Sequence, residues 1–280
     1  MVAIFALAAA VLYGTADFLG GAAARRASAL AVLGVTAPVG EIVVVLAALA
    51  VGGPVRLAGV WWAVAGGAAG GAGLLVFYAG LAAGPMSVVA PVTALVSTVL
   101  PVGVAVATGE RPGPAVVAGA LICLAAITLV SMQGGAGTGG GRSVRGLGYG
   151  IVAGAAFGLF FVCLRNAGAS GVLWPVAASR MAGVAVALAA AAATRTRPVW
   201  WGTDRRVFGM ALISGVFDAT ANVCYVLATR AGLFGLAVVL TALYPGVTVL
   251  LARLTLGERM RSVQRAGLAL AAVGIVLLTA

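Results

Sequence analysis

The chain contains no lysine and no histidine, and only six of its 280 residues are acidic. Charged side chains of both signs make up 8% of it, too few to clothe a soluble fold in polar surface. The three cysteines, Cys123, Cys163 and Cys224, lie in apolar runs without metal-ligand spacing, which argues against a zinc site or a disulfide framework and for small packing residues. No phosphate-cradling loop or nucleotide-binding domain can be read from the sequence. The expectation is a protein with no enzymatic activity, no metal and no cofactor.

What the chain does have is apolar length. Hydrophobic residues account for 63% of it and the mean hydropathy is +1.17. It divides into about ten runs near the ~20 residues needed to cross a bilayer core as a helix. The runs are apolar on all sides, whereas barrel strands alternate in polarity. The expected fold is therefore an all-α integral membrane protein, multi-pass in the plasma (cytoplasmic) membrane. Its helices are predicted at 2–23, 29–51, 60–82, 85–108, 114–131, 146–166, 172–193, 207–229, 233–256 and 264–280. The first run lacks a positive n-region and is longer than a signal-peptide core, so it is expected to stay as a membrane helix.

The net charge of +11 is carried entirely by arginine. In a soluble protein that excess would suggest nucleic acid, but here the arginines gather in short loops, where lipid headgroups are the natural partner. No nucleic-acid partner is expected. The loops after the first, fifth, seventh and ninth helices hold Arg25, Arg26, Arg142, Arg145, Arg195, Arg197, Arg205, Arg206, Arg259, Arg261 and Arg265, against Arg56, Arg111, Arg165 and Arg230 in the alternating set. By the positive-inside bias the rich loops are cytoplasmic and both termini lie outside.

The chain also repeats itself. Thr93-Ala94-Leu95 returns as Thr241-Ala242-Leu243, and Gly109-Glu110-Arg111 as Gly257-Glu258-Arg259, at one shared offset of 148 residues. In each copy a proline-containing apolar run (Pro101, Pro245) ends in Gly-Glu-Arg, which reads as a broken or kinked helix with a charged stop. Tyr13-Gly14 resembles Phe157-Gly158, and Tyr78 has a counterpart in Tyr225 one residue out of register. These matches divide the chain into a first repeat at 1–131, a Gly-rich linker at 132–145 and a second repeat at 146–280. Five spans per repeat is an odd number, so copies in series cross the bilayer in opposite senses, as inverted repeats do. Gly146, Gly150, Gly154 and Gly158, and Gly66, Gly67, Gly70 and Gly71, are spaced for close helix packing.

Ionisable groups inside apolar runs cost about 2.5–3.5 kcal/mol each on insertion scales, which makes them functional candidates. Asp17, one turn after Tyr13, is a candidate proton carrier, with a structural contact to Arg25 or Arg26 as the alternative. Asp218, Asn222 and Tyr225 share one helix face at i, i+4 and i+7. That stripe suits a substrate or proton site, and equally a structural network or neutralisation of Arg180. Glu41 and Arg180, on the second helix of each half, are placed to form an ion pair that is structural or a gate. Thr93, Ser97, Thr241 and Tyr244 lie beside prolines that free backbone carbonyls, which membranes tolerate only against protein or cavity water.

The stretches FYAGLAAGPMSVVAPVTAL (77–95) with TGER (108–111), and CYVLATRAGLFGLAVVLTALYPGVTVLLARLTLGER (224–259), followed by Gln264 and Gly267, resemble the EamA-type branch of the drug/metabolite transporter superfamily. The resemblance covers nearly the whole chain. It implies two inverted five-helix repeats around a cavity lined by the first, third, fourth, sixth, eighth and ninth helices. It further implies export or uptake of small organic solutes, such as amino acids, metabolites or drugs, by a secondary mechanism. One departure is that Gly84-Pro85 has Gly232-Leu233 as its counterpart. The expected function is secondary active transport of a small-molecule substrate by alternating access, with proton coupling through Asp17 or Asp218. A passive channel or a non-transporting scaffold is the alternative.

Overall fold

The computed structural model describes residues 1–24, 26–27, 29–52, 56–83, 86–131, 140–193, 204–256 and 262–279. The second Gly-Glu-Arg triplet, Gly84-Pro85, linker residues 132–139 and loop residues Arg25, Arg195, Arg197 and Arg261 lie outside this set. So do the side chains of Tyr78 and Ser87. Every regular element among the described residues is a helix: α1 (Val2–Ala24), α2 (Ala29–Val51), α3 (Leu57–Ala83), α4 (Met86–Ala107), α5 (Pro114–Ser131), α6 (Gly140–Gly168), α7 (Leu173–Ala193), α8 (Arg205–Arg230), α9 (Phe234–Thr241), α10 (Tyr244–Leu256) and α11 (Ser262–Thr279).

Among the described residues eight spans are long and apolar enough to cross a membrane, with Phe234–Thr255 counting as one. Pro114–Val130 and Ser262–Leu278 are shorter apolar helices. The 18 residues of α5 and of α11 rise about 27 Å, close to the ~30 Å hydrocarbon core. These two helices pack against each other at one side of the bundle. Counting them, ten crossings bring both termini to one face. Large apolar side chains such as Leu46, Leu49, Leu121, Leu254 and Val276 stay exposed around the outside, as a lipid-facing surface requires, and Trp61 and Trp62 near the start of α3 suit the membrane interface.

Two elements differ from the sequence-based boundaries. α6 begins at Gly140, six residues before the predicted start at 146, so the end of the presumed linker is helical. Once a helix is nucleated by its packed portion, each added residue gains a hydrogen bond at little further cost. The helix predicted at 233–256 is two helices, divided at Ala242-Leu243.

The two sets of five helices interlock. α1 packs on α8, α9 and α10, while α6 packs on α3 and α4; α2 and α7 meet each other and also contact α8 and α3 respectively. Glycines set these crossings, since apolar burial gives no drive to associate in lipid and close backbone approach must supply the contact. Along α6, a Cβ on Gly150, Gly154 or Gly158 would meet Val92, Val96 or Leu100 of α4 at 3.0 Å or less. The glycine stripe is thus the groove that receives a ridge of α4. On α3 the glycines serve two neighbours, Gly66 and Gly70 facing α6 at Cys163 and Phe160, and Gly67 and Gly71 facing α7 at Ser179 and Gly183.

Candidate functional site

The charged side chains expected inside the bundle do come together. Arg180 on α7 donates from Nη1 to Asp218 Oδ2 on α8. The sequence reading left Arg180 two partners, Glu41 across the halves and Asp218 as a neutralising carboxylate, and the pair formed is the second. Both Glu41 oxygens instead are buried without a hydrogen bond, and the carboxylate sits within electrostatic reach of Arg180. The geometry explains the choice. Gly40 on α2 lacks the Cβ that would strike the guanidinium, and Gly215 on α8 lacks the one that would strike the carbonyl of Thr36. α2 and α8 therefore cross closely, and Arg180 lies between them with Asp218 directly in front. Sequence spacing places Glu41 and Asp218 at similar depth and cannot rank them.

Asp17 sits on α1 inside the bundle, within electrostatic reach of Asp218 and of Tyr244, and retains an open side. Tyr13, one turn away, meets Tyr244 with ring centroids 6.1 Å apart and ring planes tilted by 59°, and its hydroxyl is buried without a partner. The Asp218 side chain is 43% exposed against 12% for Arg180, so its carboxylate also keeps an open side. One cation and three carboxylates, Asp17, Glu41 and Asp218, thus occupy the middle of a bundle whose walls are apolar.

The other two members of the Asp218 stripe are internally satisfied. Asn222 donates from Nδ2 to the Asp218 carbonyl at 2.8 Å, and the fully buried Tyr225 donates its hydroxyl to the Phe161 carbonyl at 3.1 Å. Tyr225 pins α8 to α6, with its ring 4.9 Å from that of Phe161.

Beside this cluster the duplicated helices meet. Ala94, Ser97 and Thr98 of α4, Phe161 of α6, Tyr225 of α8, and Val238, Thr241, Ala242 and Tyr244 around the α9–α10 break line a cavity of about 10 Å³, room for about one water. Pro101 and Pro245 lack an N–H, so the carbonyls four residues back, at Ser97 and Thr241, lose their helical donor. Both carbonyl-bearing residues line this cavity. On α4 hydroxyls tie down neighbouring carbonyls: Thr93 donates to Val89 O at 2.8 Å and Gly150 O at 3.3 Å, Ser97 to Ala94 O at 3.0 Å, and Thr98 to Ala94 O at 2.8 Å. Thr241 donates to Ala6 O at 3.5 Å. Tyr78 is placed on α3.

Sequence reasoning missed one set of residues. Glu110, read as part of a helix stop, reaches the second half, where Oε1 accepts from the Phe234 N–H at 2.7 Å and Oε2 from the Gly235 N–H at 3.0 Å. Arg165 of α6 lies 4.5 Å over the Phe234 ring. The only available signal was the acidic residue at the helix end; its partner is 124 residues away in sequence.

The described residues thus form an interlocked helical bundle of membrane-spanning length, with buried charges and a broken helix at its centre. Residues 144–280 match the EamA-like transporter family. The match covers just under half of the chain and is a likeness to a family of membrane transporters. One solved structure, titled only as the crystal structure of a protein, superposes with a TM-score of 0.81 over 99% of this chain and 95% of its own, at 20% identity. That likeness concerns the fold alone. No curated protein sequence matches the chain.

Proposed function

We propose that the chain is a secondary active transporter that exports small organic solutes, such as amino acids, metabolites or drugs, from the cytoplasm by alternating access. In this reading, 1–131 and 146–280 are inverted repeats that exchange conformations in the plasma (cytoplasmic) membrane. The observation that carries it is the Arg180–Asp218 pair with Asp17 and Glu41 close by in an apolar bundle. Charges are expensive there and are retained where they bind or relay something. Mixed charge suits a polar or ionised solute, and the Tyr13 and Tyr244 rings give it an apolar wall.

Asp17 is the proposed proton carrier, because within the bundle it is an acid with an open side and no ion-pair partner among the described residues. It lies seven residues before the end of α1, toward the face where the arginine-rich loops gather. Positive-inside logic makes that face cytoplasmic, which supports loading from within and therefore export. Thr93, Ser97, Thr241 and Tyr244 would line the path between the repeats.

The test is reconstitution in proteoliposomes with an imposed pH gradient and a panel of amino acids, metabolites and organic cations, chosen by thermal-shift screening. Uphill solute movement that collapses with the gradient is the expected result. Flux that only ever follows the solute gradient would mean a facilitator, and no movement of any solute would favour a scaffold.

A further inference from the structure

Glu110 does more than end a helix. Gly109 adopts φ +99°, a left-handed turn that closes α4 through bonds from Gly109 N–H to Val106 O and from Glu110 N–H to Ala105 O, both at 3.0 Å. This turn sends the Glu110 side chain across to the other half. α9 needs what it brings. Its capping residue, Leu233, offers no side-chain acceptor, and the first N–H groups of a helix are otherwise orphaned. A carboxylate there meets the positive end of the helix dipole and makes charge-assisted bonds, the stronger kind. Arg165 over Phe234 adds α6 to the same corner.

The corner lies on the face of the termini, since α4 ends there and α9 begins there. Along this half of the membrane α4 packs on α9. Beyond the break, α10 makes its contacts with α1, α5 and α11, so the two duplicated helices are clamped at one face and diverge toward the other. We propose that Glu110 is a gate latch: it holds α4 of the first half to α9 of the second on the terminal face, and its release opens that face. The inference rests on the alternating-access reading above. By the 148-residue register Glu258 is the sequence counterpart of Glu110; it lies outside the described residues and is not part of this corner.

The experiment uses the full chain in lipid nanodiscs, with two readouts that need no transported solute. Hydrogen–deuterium exchange over Phe234–Leu236 reports the cap. Labelling of an Ala105→Cys variant by a membrane-impermeant maleimide reports opening, because Ala105 is buried and its Cβ lies 3.6 Å from where a Cβ on Gly235 would stand. Glu110→Ala should speed exchange of the first α9 amides about tenfold and turn Ala105→Cys from unlabelled to labelled. Glu258→Ala should leave both readouts at the parent level. Faster exchange with Ala105→Cys still unlabelled would reduce Glu110 to a static cap and overturn the latch, as would no change in either. Should Glu110→Ala not fold, Glu110→Gln keeps one acceptor oxygen and should give a smaller rise in both signals. A chain that moves no solute yet opens in this way refutes the transporter reading and leaves the latch standing; a chain that transports with unaltered labelling refutes only the latch.

Discussion

The two copies of the duplicated helix have diverged. α4 runs unbroken from Met86 to Ala107 with Pro91 and Pro101 inside it, whereas its counterpart is cut at Ala242-Leu243 into α9 and α10. Through the 148-residue register, Val96-Ser97-Thr98 of α4 corresponds to Tyr244-Pro245-Gly246. The second copy thus carries a proline followed by glycine, where the first has a β-branched residue and two hydroxyls that bond back to Ala94. Proline forbids the bond to Thr241 and clashes with that carbonyl, and glycine lowers helix propensity just after it. The chain turns instead through three-residue bonds, from Leu243 N–H to Leu240 O at 3.3 Å and Gly246 N–H to Leu243 O at 2.9 Å. The surroundings differ in the same sense. The helix seated against the broken copy, α1, carries Tyr13 and Asp17, while α6, seated against the intact one, carries Phe157 and Phe161. Polar chemistry and the backbone break have collected on one side of a duplicated scaffold.

The sharpest way to break this comparison is at the glycine seats beneath each copy. A Cβ at Gly154 would lie 2.7 Å from Val96 Cβ and 2.8 Å from the Thr93 carbonyl; one at Gly14 would lie 2.5 Å from the Tyr244 carbonyl and 2.6 Å from Val247 Cβ. Gly154→Leu is expected to abolish folded protein, seen as loss of the monodisperse peak in detergent gel filtration. If Gly14→Leu gives a stable protein while Gly154→Leu does not, the broken copy is the more loosely seated.

Next in size is Asp17→Asn, which should eliminate pH-driven uphill flux in proteoliposomes while the thermal midpoint stays near that of the parent. Unchanged pH dependence would remove Asp17 as proton carrier. Asp218→Ala leaves Arg180 with its guanidinium mostly buried and unpaired, at a cost of about 3 kcal/mol or somewhat less, since the carboxylate side is wet. The double variant Arg180→Met/Asp218→Leu should recover more than half of that loss in thermal unfolding. No recovery would mean the two side chains do not act as a unit.

The smallest effects separate the prolines. Pro101→Ala and Pro245→Ala each restore an N–H. The first should change stability by no more than about 1 kcal/mol and leave flux intact. The second should close the break, slow exchange of the Leu243–Gly246 amides, and reduce flux several-fold. Equal effects on flux would show that the break is not what distinguishes the copies.

Several features were legible before any tertiary contact was known. Hydrophobic run lengths fix the number of crossings, because hydrocarbon demands internally bonded helices of set length. Glycine spacing announces the close crossings, and Tyr244-Pro245-Gly246 announces an interruption. Local composition determines these, and local composition is what a sequence displays. Three-dimensional juxtaposition decided the rest. Arg180 chooses Asp218 over Glu41 because the Gly40–Gly215 crossing fixes the position of the guanidinium. Tyr225 turns out to be a brace between α8 and α6. Glu110 meets Phe234 and Gly235 only because the end of α4 is packed beside the start of α9. The sequence by itself determined a duplicated, membrane-spanning helical bundle, since bilayer and backbone impose their conditions residue by residue. Only the tertiary structure decided which charge faces which and which helix end caps which, because Coulomb and hydrogen-bond partners are set by distances of a few ångströms between segments far apart in the chain.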